Sequence, residues 1–148
     1  MSIIENLSNR FIIDACNPPA SLQEIEEFKQ FSNIELPTDY LRFIQEQSEV
    51  QMSVKNEIVE NDIYLRFWDI MGCMELNPAY KIQKYLSSES LAIGDNGGSD
   101  ALVYMHGNEG FGLYRAAFSN LTLDDAVKIA PTLSDLLLSG VGIDKLIE

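Results

Sequence analysis

The sequence predicts a single-domain α+β protein in which an antiparallel or mixed β-sheet carries helices mainly on one side. Three observations predict it. Residues 91–118, LAIGDNGGSDALVYMHGNEGFGLYRAAF, set two glycine-rich turns between short runs of strand-forming residues, the pattern of a meander. Residues 63–68, IYLRFW, alternate Ile63, Leu65 and Phe67 with Tyr64, Arg66 and Trp68, so one strand face is wholly apolar. Helical spacing falls before, between and after these strand segments, and no linker or internal repeat divides the 148 residues.

Along the chain, residues 1–20 end in Pro18 and Pro19 and read as an N-terminal arm with one short helix, leaving 21–148 as the domain. Ser21 stands three residues before Glu24, a capping box whose two side chains satisfy backbone donors at a helix start. Leu22, Ile25 and Phe28 follow as an apolar stripe, which predicts a helix over 21–32. Pro37 suits the entry of a second helix, with Tyr40, Leu41 and Ile44 as its apolar face. Residues 50–76 read as strands joined by acidic turns. Asn77 and Pro78 then read as the N-cap and first-turn proline of a helix carrying Ala79, Ile82, Tyr85 and Leu86. After the glycine block, Asp124 and Asp125 read as charge at a helix N-terminus. Thr132, Asp135 and Gly140 bracket a closing helix.

Composition narrows the function classes. The chain has 23 acidic and 10 basic residues, a formal charge of −13. Gripping phosphates requires clustered lysines and arginines, so direct nucleic-acid binding is disfavoured and the field suits a basic protein partner. Residues 21–62 hold ten acids and three bases and carry −7 of that charge. The start MSIIENLSNR lacks a basic export signal, and no run of about 18 apolar residues occurs, so a cytoplasmic protein without a membrane span is expected. In a reducing compartment Cys16 and Cys73 are expected as free thiols.

The residue types for catalysis or metal binding are sparse. His106, the single histidine, lies in a hairpin segment, and neither a G-x-S-x-G turn nor a catalytic-thiol setting occurs. One histidine and two separated cysteines do not make a zinc site, and GDNGGSD matches neither a calcium loop nor a phosphate loop. No catalytic residue, metal or cofactor is therefore expected, and Asp95 reads as a solvated turn acid. Binding chemistry is better represented. Tyr64, Arg66 and Trp68, projected to one strand face, are residue types enriched in interface hot spots, although a helix or further strands covering that face would account for them equally well. Glu57, Glu60, Asp62 and Asp69 flank the strand and would form a charged rim around it.

Two segments also resemble a known family. IGDNGGSDALVY (93–104) followed by GFGLYR (110–115) is similar to the central block of the SMI1/KNR4 family, also called the SUKH superfamily. IELPTDYLRFI (34–44) resembles its other diagnostic segment, in which leucine and proline introduce an acid, a tyrosine and an apolar helix. The resemblance spans roughly residues 21–140. It implies the family's fold and, because many bacterial members are immunity proteins, neutralisation of a cognate toxin domain, often a nuclease. The alternative it implies is a regulatory or scaffold module acting through protein contacts, as eukaryotic members do. Neither reading specifies an oligomeric state.

Overall fold

A computed structural model describes residues 2–55 and 63–146. Among them, seven strands form one sheet in the order of the sequence, each antiparallel to its neighbours: β1 (Phe11–Cys16), β2 (Val50–Val54), β3 (Ile63–Phe67), β4 (Ser90–Asp95), β5 (Asp100–Gly107), β6 (Gly110–Ala117) and β7 (Val127–Ala130). The helices are α1 (Leu22–Phe31) and α2 (Thr38–Glu46) between β1 and β2, α3 (Ile70–Tyr80) and α4 (Ile82–Tyr85) between β3 and β4, and α5 (Leu133–Ser139) and α6 (Ile143–Leu146) after β7. No helix among the described residues is long and apolar enough to cross a membrane.

Local signals set the helix ends. At α1 the capping box forms: Glu24 N–H donates to Ser21 Oγ at 3.1 Å, and Ser21 N–H donates to Glu24 Oε1 at 3.0 Å. Ile25 and Phe28 are buried, but Leu22 is exposed. Each three-residue step turns a helix by about −60°, which leaves Leu22 about 90° from the middle of the Ile25–Phe28 stripe. In α2 the buried face is Tyr40, Phe43 and Ile44, with Leu41 at its margin. Thr132 caps α5, and Gly140, with φ of 73°, closes it in the left-handed region.

Four expectations need correction. The first 20 residues are more than an arm: after a 3₁₀ turn at Ile4–Asn6 they supply β1, which pairs with β2 from Phe11↔Val54 to Cys16↔Val50. The turn before it is held by Glu46, whose carboxylate accepts from Ile3 N–H, Ile4 N–H and Ser2 Oγ–H, each at 2.9 Å. Second, the strand region ends at Phe67, because Asp69 caps α3 by accepting from Gly72 N–H at 2.7 Å. Third, Asn77 and Pro78 lie inside α3, which runs on to Lys81 in the left-handed conformation. Fourth, Asp124 and Asp125 stand in a turn before β7, where Thr122 Oγ1–H and Asn120 Nδ2–H both donate to Asp125 at 2.8 Å. These bonds, that from Thr122 first, hold the Asp125 carboxyl below its ordinary value.

The helix layer meets one sheet face through aromatic contacts. Phe43 packs edge-on against Phe67 at 5.3 Å between ring centroids, and Tyr40 against Tyr104 at 6.2 Å. Cys73 of α3 lies 3.7 Å from Tyr40 Oη, and Leu133 N–H at the start of α5 donates to Tyr104 Oη. The opposite face is divided. Val103, Met105, Tyr114 and Ala116 are buried there, and Phe118, Leu121, Leu123 and Ala126 of the β6–β7 connection pack against the core. Over β1–β3 the same face presents exposed Ile12, Gln51, Tyr64 and Arg66 instead, around a buried Ser53.

Between β3 and β4 the strand pairing is short: Arg66↔Asp95 and Phe67↔Gly94 are the paired positions, followed by Trp68 N–H donating to Ile93 O at 2.9 Å. Asn77, fully buried, then takes the place of a strand. Its Nδ2–H donates to Ala92 O at 2.9 Å, and its Oδ1 accepts from Ala92 N–H at 2.8 Å. A backbone edge that β3 would leave open is thereby satisfied. Close approach explains Gly94, since a Cβ there would lie 2.2 Å from Arg66 O.

Candidate partner-binding face

On β1–β3 the side chains alternate between the core and the opposite face. Met52, Val54, Leu65 and Phe67 are buried, whereas Gln51 stands beside Arg66 and Ser53 beside Tyr64, with Ile12 next to Ser53. Tyr64 is 60% exposed and the Arg66 side chain 45% exposed. The register brings Asp95, at the end of β4, against Arg66. Gly97 and Gly98 follow, with φ of 103° and 115°, so the chain reverses through conformations that side-chain-bearing residues rarely adopt. Gln51, Tyr64, Arg66, Asp95, Gly97 and Gly98 line an open concavity of about 300 Å³.

The predicted group is only partly assembled. Tyr64 and Arg66 share this face and are accessible. Trp68 does not join them at the surface: β3 ends at Phe67, and the indole is 3% exposed, donating Nε1–H to Asp95 Oδ2 at 2.8 Å. Asp69 is engaged as the α3 cap rather than standing free in a rim. Glu57, Glu60 and Asp62 lie outside the described residues.

Asp95 is the residue that sequence reasoning missed. Read as a solvated turn acid, it is only 7% exposed. Its Oδ1 accepts from Gly97 N–H at 2.9 Å, its Oδ2 accepts the indole, and Arg66 Nη2 lies 3.5 Å from Oδ2. A buried carboxylate is tolerated when donors and an opposite charge surround it. The far side of the same turn carries a tighter pair, Arg115 Nη1 to Asp100 Oδ2 at 2.9 Å, with both side chains largely covered. Arg115 Nε–H also donates to Lys145 O at 3.0 Å.

Outside this face, burial pushes the Cys73 thiol up to about 12, so it stays protonated at neutral pH. Cys16 is exposed, and both cysteines are free. His106 lies at the end of β5, its Nε2 3.5 Å from Glu89 Oε2 and its ring 4.7 Å from that of Phe111. Among the described residues no three His, Cys, Asp or Glu side chains converge as metal ligands do. At the concavity, a phenol, a guanidinium and an amide present polar groups to whatever docks there.

An antiparallel seven-strand meander with its helices mainly against one face, and with much of the β1–β3 part of the other face exposed, defines a single-domain α+β protein. The SMI1 / KNR4 family (SUKH-1) model matches residues 19–139, and the chain belongs to this family. That match contains both diagnostic segments and begins after β1. A comparison with curated protein sequences gives no match.

Proposed function

We propose that this protein is a non-catalytic binding domain of the cytoplasm, an immunity protein that neutralises a cognate toxin domain by direct contact. Family membership over residues 19–139 is the observation that carries this reading, since many bacterial SUKH proteins are immunity proteins. The formal charge of −13 supports a basic partner, such as a nuclease domain whose own site is positive to hold phosphates. Tyr64 and Arg66 supply a contact face of residue types that concentrate binding energy.

Mixing the chain with the toxin domain encoded beside it tests the proposal. Inhibition that saturates at one equivalent, together with a complex stable at low salt, is expected. Inhibition at a small fraction of an equivalent would point to catalysis instead. Neither inhibition nor a complex at low salt would refute the immunity role.

A further inference from the structure

In an acidic protein, the exposed face presents an accessible cation: the Arg66 side chain is 45% exposed where that of Asp95, on the same concavity, is 10% exposed. Among the described residues Arg66 is the only cation lining the concavity, in a chain with 13 more acids than bases. Its counter-ion is already occupied. Asp95 receives the Trp68 indole at 2.8 Å and Gly97 N–H at 2.9 Å, while Arg66 Nη2 stands off at 3.5 Å, beyond the usual range of an N–H···O bond. A guanidinium has five N–H donors arranged as a planar fork, and nearly half of the Arg66 side chain faces outward. Among the described residues, space for an incoming group is present on the turn side: a Cβ at Gly98 would meet nothing within 4 Å, and one at Gly97 would meet only Tyr64 Cβ, at 3.9 Å.

We propose that this concavity receives one carboxylate side chain of the partner protein, gripped by the Arg66 fork and flanked by the Tyr64 ring. The inference rests on the reading of this face as the partner-binding face and adds which group of the partner it holds. Asp95 is the positioning residue: its carboxylate, fixed by the Trp68 indole and Gly97 N–H, attracts the Arg66 guanidinium to the concavity across 3.5 Å. Both groups line the concavity, but with the Arg66 side chain 45% exposed and that of Asp95 10% exposed, an incoming group meets the guanidinium more fully, which favours a carboxylate over an ammonium. The acidic surface thus attracts a basic domain from a distance, and a single contact of reversed sign sets its register. Basic domains without a matching carboxylate are thereby rejected.

Titration calorimetry with the cognate toxin domain, comparing the wild-type chain with Arg66→Gln, Arg66→Lys and Arg66→Glu, tests the contact. Arg66→Gln is expected to weaken binding at least about 30-fold, and Arg66→Lys, which keeps the charge but loses the fork, by about tenfold. Reversing one toxin carboxylate to arginine should restore the Arg66→Glu complex. Binding by Arg66→Gln within twofold of wild type, or failure of every toxin carboxylate reversal to rescue, would overturn the inference. Should the toxin not bind the wild-type chain at all, the immunity reading fails, and the concavity is then tested on its own by NMR titration with N-acetyl-glutamate N-methylamide. Shifts at the Arg66 Nε–H and the Gly97 and Gly98 amides, absent with the glutamine analogue, are expected; equal shifts with both compounds, or none with either, would overturn it.

Discussion

Two arginine–aspartate pairs flank the turn at residues 96–99, and they behave as different objects. On one side Arg115 and Asp100 meet at 2.9 Å, with side chains 15% and 13% exposed and a further bond from Arg115 to the Lys145 carbonyl. On the other, Arg66 reaches Asp95 only to 3.5 Å and keeps much of its surface in solvent. The difference lies in what surrounds each arginine. Arg115 lies within reach of the α6 backbone, whereas Arg66 stands on the exposed β1–β3 face. Identical chemistry forms an internal clasp where the guanidinium is enclosed and leaves an exposed guanidinium where it is not.

The largest expected effect separates the hydrophobic core from both pairs. Burial raises the Cys73 thiol to about 12 and raises the Tyr40 and Tyr104 hydroxyls as well. Groups whose folded pKa lies above the unfolded value stabilise fully below the unfolded pKa and cease to do so as pH rises through the folded one. Urea unfolding should therefore show stability intact at pH 7 and falling from about pH 9 towards 12, by a few kcal/mol in total, while arginine stays protonated throughout. Flat stability across that range would break the assignment of these groups to a dry core.

Next in size is the enclosed pair. Arg115→Ala should cost about 2–3 kcal/mol in chemical denaturation, because Asp100 is left covered without its cation. Partner affinity of the folded protein should not change, and a binding defect matching the stability loss would erase the distinction between the two sides. Trp68→Phe preserves the buried ring but removes the N–H that Asp95 accepts, for an expected loss of about 1–2 kcal/mol in the same measurement. A loss below about 0.5 kcal/mol would show that water replaces the indole, and that Asp95 is less enclosed than its neighbours imply. Smallest is the open pair: Arg66→Ala should alter stability by less than about 1 kcal/mol, the range of exposed ion pairs. A cost comparable to that of Arg115→Ala would make Arg66 a clasp too.

Elements specified by neighbours in sequence were legible. The Ser21–Glu24 box, the Thr132 cap, Gly140 and the glycine turns each act through residues within a few positions, so their residue types suffice. The β1 strand was not legible, because FIIDAC becomes a strand by pairing with residues about 40 positions away. Asn77–Pro78 misled for a related reason: the local signal of a helix start is real, but Asp69 already caps the same helix and Asn77 is engaged by Ala92 on β4. At the candidate site, strand alternation correctly placed Tyr64 and Arg66 on one face. It failed at Trp68, where the strand had already ended, and it was silent on Asp95, whose burial depends on the β3–β4 register.

By itself the sequence determined the α+β class, the acidic field, the ends of the capped helices and the two segments that mark the family, since composition, periodicity and short motifs act locally or additively. Only the tertiary structure decided which aspartate is enclosed, which arginine is left reaching outward and which half of the outer sheet face is exposed. Those outcomes depend on pairing between distant strands, and burial is a property of what those strands bring together.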